Sequence, residues 1–383
     1  MGSNNKIKKC RICSHIFFNK PLLQYTGMPK AAQFFPGKGS LKRDKGININ
    51  IYQCSGCGLV QLDSKPVPYY KDVIRAVSIS KEVKEFRAEQ FKNIVTKYSL
   101  QNRKILEIGC GSGEHLNIMR KFVKETYGIE HAEESVKYCV KQGLNVSREF
   151  LGKPSQKLFN APFDAFFILN FLEHLPSPNA TLTGMYNNLS DGGIGLIEVP
   201  NFDMIVRNNL FSEFIPDHLF YFTRDTLTAL LSLNGFDLIE CGEERYDYVI
   251  SAIVRKREKN DLSRFYDYQE RLTEDLNSYI SRFGNKKIVI WGAGHQALAV
   301  IALTKTKSRI KYVVDSAPFK QNKYTPATHL PVVAPETFFS DKVDAVIVMA
   351  AAYSDEVVGI IKQKLKNIKI AVLRDFGLEI INK

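Results

Sequence analysis

Apolar and polar positions follow three rhythms along this chain. From residue 1 to about 68, long apolar periods are few, Lys, Gly and Pro are frequent, and a CxxC pair stands near each end. The layout expected is knuckle, insert, knuckle, closed by Val67-Pro68. From about 78 to 98, Val83, Phe86, Phe91, Ile94, Val95 and Tyr98 recur at near-helical spacing and predict a helix. An α/β alternation follows. Lys104–Ile108 is a short apolar strand, and a glycine loop leads into a helix from about His115 to Val123. Thr126–Ile129 is a second strand ending at Glu130, and Ser135–Gln142 is helical. Phe163–Leu169 is nearly continuous in apolar residues, as in a parallel strand buried on both faces. Asp191-Gly192-Gly193 predicts a turn before a strand over Ile194–Val199, and Tyr246–Arg255 alternates like a late antiparallel strand.

A charged helical stretch over about 257–283, striped by Leu262, Phe265, Leu272, Leu276 and Ile280, reads as a connector. The alternation then restarts with strand Lys287–Trp291, the turn Gly292-Ala293-Gly294, helix Gln296–Thr304, strand Ile310–Val314 ending at Asp315, and strand Ala345–Met349. This order predicts an α/β protein with two Rossmann-like doubly wound halves in series. The expected domains are 1–68, 69–256, a connecting helix at 257–284, and 285–383.

Composition adds limits. The chain has 383 residues, which suits two or three domains, and its 44% apolar and 24% charged residues are ordinary for a globular protein. No apolar run reaches the ~18 residues that span a bilayer. The polar, basic N-terminus lacks a signal-peptide core, and Lys6 breaks the pattern for myristoylation at Gly2. The expectation is a soluble cytoplasmic protein with no membrane partner. The net charge of +13 is uneven: residues 1–75 carry 13 Lys+Arg against 3 Asp+Glu, and residues 257–383 carry 20 against 14. Such outer parts either attract a phosphate-bearing partner, nucleotide or nucleic acid, or serve solubility alone. The cysteines number seven, and an odd count containing CxxC pairs argues for a reducing compartment rather than a disulfide scaffold.

The chemistry begins at Glu107-Ile108-Gly109-Cys110-Gly111-Ser112-Gly113, between the first strand and its helix. Glycines let the backbone approach a ligand closely and accept positive φ, and the helix start offers unpaired N–H groups. A dinucleotide site uses the same parts to hold a pyrophosphate. Here an acid lies inside the motif, where it repels pyrophosphate and suits the ammonium of S-adenosylmethionine. Glu130, ending the second strand, can accept both ribose hydroxyls. Asn170-Phe171-Leu172-Glu173-His174-Leu175 follows the fourth strand and resembles the LEHL segment common there in class I methyltransferases. That position borders the transferable methyl group, so Asn170 and Phe171 join Glu107, Gly109, Gly111, Gly113 and Glu130 as candidate cofactor contacts. Cys10-x2-Cys13 and Cys54-x2-Cys57, separated by 40 residues, can complete a tetrahedral site for a structural Zn2+.

The order of a four-cysteine N-domain, a class I methyltransferase and a GAG-containing α/β domain resembles the nucleotide-sugar C-methyltransferase family of deoxysugar biosynthesis. The resemblance spans essentially the whole chain. It is carried by Trp291-Gly292-Ala293-Gly294, by Val314-Asp315-Ser316-Ala317-Pro318-Phe319-Lys320-Gln321, and by Tyr324 to Val332 with Pro326, Leu330 and Pro331. The family's Y-H-E-H-x-x-Y-F stretch is matched by Ile215-Pro216-Asp217-His218-Leu219-Phe220-Tyr221-Phe222, with Ile215, Pro216 and Asp217 as departures. A second family tyrosine is replaced near Arg75-Ala76-Val77. The resemblance implies that a histidine removes a proton beside a ketone of a nucleotide-linked 4-keto-sugar, and that the enolate attacks the methyl group. His218 is the candidate base, with Asp217, His174 and Tyr221 as catalytic partners. It also implies that the C-terminal domain is a degenerate Rossmann unit that helps hold substrate.

Alternatives remain at this stage. O- or N-methylation of another small molecule fits the same motifs, as does nucleic-acid methylation with a zinc RNA-binding module. The latter is disfavoured, because no [D/N]-P-P-[Y/F] motif follows strand four and the basic charge lacks interleaved aromatics. Gly292-x-Gly294-x-x-Ala297 with Asp315 is also close to a dinucleotide fingerprint. Acceptor, methylated atom and oligomeric state are open from the sequence.

Overall fold

A computed structural model describes residues 7–33, 35–72, 79–285 and 287–381, and the chain divides into two compact units, Met1–Glu258 and Lys259–Lys383. In the first unit, strands β1 (Leu23–Met28), β2 (Ile47–Gln53) and β3 (Val60–Leu62) form an antiparallel sheet. The cysteine knuckles flank it, joined by bridges Lys9↔Ile16 and Phe17↔Cys54. Helix α1 (Lys81–Lys97) starts at Ser80, whose hydroxyl accepts from Val83 N at 3.2 Å and so satisfies one of the amides left unpaired at a helix start. Its apolar face buries Phe91 and Val95, and Phe91 meets Phe167 at a ring separation of 5.2 Å.

The α/β alternation then appears as β4 (Lys104–Ile108), α2 (Glu114–Met119), β5 (Glu125–Glu130), α3 (Glu133–Lys141), β6 (Asn145–Arg148), β7 (Phe163–Leu169), α4 (Pro178–Asn188) and β8 (Leu189–Pro200). After it come α5 (Phe202–Arg207), β9 (Phe220–Tyr221), α6 (Arg224–Leu233), β10 (Phe236–Glu244) and β11 (Val249–Lys256). The sheet order is β10-β11-β8-β7-β4-β5-β6. Strands β8, β7, β4, β5 and β6 run parallel, and β11 and β10 add antiparallel edges. Chain order reverses between β4 and β7. The loops leaving those two strands therefore open onto one crevice, the place where such sheets hold ligands.

Strand β9 does not join this sheet. It pairs with β3 through Val60↔Tyr221 and Gln61↔Phe220, completing the order β1-β2-β3-β9. The four-cysteine segment is thus hydrogen-bonded to the segment containing Asp217 and His218, across the expected boundary at residue 68. Two strand readings also differ. The expected turn Asp191-Gly192-Gly193 is absorbed into β8 as a register irregularity between Phe163/Leu189 and Ala165/Ile194, with Gly192 at φ 70°. Strand β10, whose burial alternates weakly, was not legible from its pattern.

The second unit contains α7 (Ser263–Ile280), β12 (Ile288–Trp291), α8 (His295–Leu303), β13 (Ile310–Val314), β14 (Lys323–Tyr324), β15 (Pro331–Val333) and α9 (Pro335–Ser340). It ends with β16 (Ala345–Val348), α10 (Ser354–Lys364), β17 (Lys369–Arg374) and β18 (Gly377–Ile381). Its sheet order is β14-β15-β13-β12-β16-β17-β18, with β15, β13, β12, β16 and β17 parallel. The stretch expected as a connector forms α7 and buries Leu272, Leu276, Tyr279 and Ile280 among Ile288, Ile290 and Ala371. It is a core element of this unit, because its apolar stripe needs a sheet to cover it.

Candidate active site

The loop after β4 has three glycines with positive φ: Gly109 at 70°, Gly111 at 55° and Gly113 at 79°. A Cβ on Gly113 would stand 2.5 Å from Leu144 Cδ1 and 3.0 Å from Cys139 Sγ, so both space and backbone demand glycine there. Glu130 turns back under the loop. Its carboxylate accepts from Gly111 N at 3.0 Å and from His131 N and Ala132 N at 2.8 Å. Burial raises this carboxyl above the ordinary range, although the three amides oppose it. Glu107 is buried beside His115, whose Nδ1 is 3.7 Å from Oε1.

A narrow cleft runs from Gly109 past Glu130 to Phe150 and Leu151. Phe150 is covered by Tyr70 and His131, both edge-on at about 6 Å, and the Lys71 ammonium stands 5.3 Å from its ring centre. An acid followed by an apolar slot is what a ribose and a base require. Glu149, Phe150 and Lys71 were missed by sequence reasoning, because they lie outside the glycine motif and no local signal marks them.

Beside the cleft lies a cavity of about 230 Å³, which shares Phe171 with it. Asn170, at φ 49°, lines this cavity, and its buried Oδ1 has no hydrogen-bond partner among the described residues. An unmatched acceptor here suits a ligand N–H. His174 and Asp217 also line the wall. The Asp217 carboxylate accepts from Tyr69 OH at 2.6 Å and from Ala32 N at 2.9 Å, and Gln33 N donates to Tyr69 Oη at 2.9 Å. Burial and the bond to Asp217 push the Tyr69 hydroxyl up to about 12. Tyr69 is a further site residue that the sequence reading missed, although it directly follows Val67-Pro68. The substituted tyrosine position near Arg75-Ala76-Val77 lies outside the described residues.

His218 stands edge-on to His174, with ring centres 4.8 Å apart. Burial, and then the neighbouring His174, pull His218 down to about 3; burial also lowers His174, against the pull of Asp217. Tyr221 is not on the cavity wall. It is 2% exposed within β9, packed on Phe214, and its hydroxyl accepts from Ile215 N at 3.1 Å. Burial pushes that hydroxyl strongly upward, so it is held as a neutral structural bond.

The four cysteines come together as the spacing requires. Their sulfurs lie within 4.8 Å of one another, with Cys10–Cys57 at 3.7 Å and Cys13–Cys54 at 3.4 Å. Sulfurs about 3.8 Å apart are what four Zn–S bonds of about 2.3 Å give in a tetrahedron. Donors already face them: Gln61 Nε2 and Ile12 N toward Cys10, and Gly56 N and Cys57 N toward Cys54, at 3.1–3.4 Å. The donor set therefore fits a tetrahedral soft cation.

In the second unit the glycine turn is closed on itself. Asp315 accepts from Ala293 N at 2.8 Å, Ala317 N at 2.9 Å and Lys320 Nζ at 2.9 Å, and Lys320 also reaches Ala293 O.

Sheet order, glycine loop and crevice define an α/β protein of the class I methyltransferase fold. Residues 78–241 match a methyltransferase domain family, and residues 252–370 match a C-methyltransferase C-terminal domain family. The chain is an S-adenosylmethionine-dependent methyltransferase. It is similar to the C-methyltransferase NovU of Streptomyces niveus, 18% identical over 94% of each chain. It is also similar to the tRNA U34 carboxymethyltransferase of Aliarcobacter butzleri, 26% identical over 53% of this chain and 72% of that one. A solved S-adenosylmethionine-dependent methyltransferase from Clostridium acetobutylicum covers 49% of this chain and 96% of its own at 14% identity, with a TM-score of 0.39. Among the described residues no helix is long and apolar enough to cross a membrane.

Proposed function

We propose that this enzyme methylates a carbon of a small, nucleotide-linked sugar or related metabolite. The observation that carries the reading is the convergence of His174, Asp217 and Tyr69 on a cavity that also holds Asn170 and Phe171 beside the cofactor cleft. The end-to-end likeness to a C-methyltransferase supports it. S-adenosylmethionine supplies an electrophilic methyl group on its sulfonium. Gly109, Gly111, Gly113 and Glu130 would hold that cofactor, Phe150 would offer an apolar face for its base, and the Asn170 carbonyl oxygen would receive a ligand N–H. On the acceptor side, the C–H bond beside a ketone breaks. Its proton would pass to an imidazole nitrogen of the His174–His218 pair, and its electron pair would form the bond to the methyl carbon as the sulfur–carbon bond breaks and S-adenosylhomocysteine leaves. Neutral imidazoles are suited to this, since each keeps a basic nitrogen. Tyr69 would donate to the developing enolate oxygen by turning its one hydroxyl proton away from Asp217.

His218, with Asp217, was the base expected from sequence; the cavity wall makes His174 the nearer member of the pair. A structural Zn2+ held by Cys10, Cys13, Cys54 and Cys57 would brace β3 and, through it, β9 and Asp217. Cys10→Ser with Cys57→Ser should therefore abolish methyl transfer as well as lower Tm. The deciding experiment is mass spectrometry of a panel of nucleotide-linked 4-keto-sugars incubated with enzyme and S-adenosylmethionine in D2O. A gain of one methyl group, with deuterium exchange at the same carbon in its absence, is expected. Methyl gain on oxygen or nitrogen, without carbon exchange, would replace this reading with O- or N-methylation.

A further inference from the structure

Glu173 is 1% exposed, and its segment cannot turn outward. Its carbonyl accepts from Leu219 N at 2.9 Å, which ties the short turn Leu172–His174 to the residues before β9. Its Oε1 lies 3.8 Å from His174 Nε2, and its Oε2 has no hydrogen-bond partner among the described residues. One side-chain N or O atom from each of Glu173, His174 and His218 lies within 4.8 Å of the others. A buried carboxyl with an unused oxygen is destabilising, a cost an apolar side chain of similar size would avoid.

We propose that Glu173 is a positioning residue: its carboxylate fixes the His174–His218 pair and carries the counter-charge when one of these imidazoles takes up the acceptor's proton. The inference rests on the histidine-base reading above. The groups facing Glu173 are His174 from its own turn, His218 from the loop before β9, and Tyr248, which precedes β11 and bonds to Glu213 at 3.3 Å; Asp217 acts on His174. In this setting burial pushes the Glu173 carboxyl up to about 8. At neutral pH the carboxyl and both imidazoles are uncharged. As pH rises through about 8 the carboxylate forms and the imidazoles gain a partner for their charged form. A histidine base acting without Glu173 would instead already be at its plateau at neutral pH, since burial lowers both imidazoles below their ordinary value.

Imidazole NMR of the full-length protein tests this without an acceptor. His174→Gln and His218→Gln assign the two signals. The expected result is a chemical-shift inflection near pH 8 in the wild-type protein that is absent in Glu173→Gln. No inflection in the wild-type protein, or its persistence in Glu173→Gln, overturns the proposal. If Glu173→Gln does not fold, the wild-type titration still decides, and Glu173→Asp should move the inflection. With an acceptor in hand, kcat should rise through the same range and Glu173→Gln should remove that limb. It should lower kcat about tenfold or more while leaving the Kd for S-adenosylmethionine unchanged. Undiminished turnover in both histidine variants, with the inflection intact, would remove the histidine base and with it the counter-charge role.

Discussion

The two units each contain a strand, a glycine turn, a helix and an acid at the end of the next strand, yet they spend that acid differently. Glu130 holds the glycine loop through Gly111 N, accepts from His131 N and Ala132 N as well, and still lines a narrow cleft. Asp315 is enclosed by two amides and by Lys320, which also bonds to the turn's own carbonyl. The first loop has three glycines at positive φ, whereas in the second turn only Gly292 does. A Rossmann-like motif therefore marks a ligand site only while its donors and acid are left for a ligand. In the second unit the protein has supplied its own cation and acceptor.

The largest expected effect is at the glycines themselves. Gly113→Val places a branched side chain against Leu144 at positive φ, and should abolish S-adenosylmethionine binding measured by calorimetry. Gly292→Ala is strained too, since a Cβ there would stand 2.4 Å from Met349 O at φ 115°. It should lower Tm without changing cofactor affinity. Loss of affinity in the second variant would end the functional separation of the two turns.

The acids come next. Glu130→Ala should weaken the cofactor by about 1.5–3 kcal/mol, roughly ten- to a hundredfold in Kd, as expected for lost hydrogen bonds to a charged group. Asp315→Asn should cost stability of comparable size while Kd stays at the wild-type value.

Their pH signatures should have opposite signs. For Asp315, burial alone would raise the carboxyl, but the Ala317 and Ala293 amides and Lys320 hold it below its ordinary value. Its stabilisation is therefore present above about pH 4 and is lost as pH falls through the depressed value. Glu130 is raised, so its contribution is present below about pH 4 and is lost as pH rises through its folded value. Urea unfolding of Glu130→Gln at neutral pH should show a cofactor-free protein at least as stable as wild type. A less stable variant would contradict the burial argument.

The smallest effects concern what the second turn does not bind. NAD should give no thermal shift, whereas S-adenosylmethionine at a hundred times its Kd should add about 2.7 kcal/mol. Gly294→Ala should be silent within about 0.5 kcal/mol, because a Cβ there meets nothing within 4 Å.

Much of this contrast is hidden in the sequence. Strands Lys104–Ile108, Phe163–Leu169 and Ile310–Val314 were legible to the residue, because parallel strands buried on both faces read as apolar runs. The cysteine pairing and the glycine loop were legible because close spacing fixes their geometry. Tyr69 was not, since its partner Asp217 is 148 residues away and a single tyrosine has no pattern. Nor was the role of β9, a two-residue strand that joins a sheet begun far upstream.

The sequence by itself determined the fold class, a glycine loop suited to a methyl donor and a thiol set suited to a metal, because hydrophobic period, glycine spacing and CxxC geometry are local. Only the tertiary structure decided which acid borders a cleft and which is neutralised. It also decided that Tyr221 is packed while Tyr69 meets Asp217, and that Glu173 lies buried against two histidines. Each of these depends on burial and on charge partners brought together by sheet pairing, and neither quantity is written in the neighbouring residues.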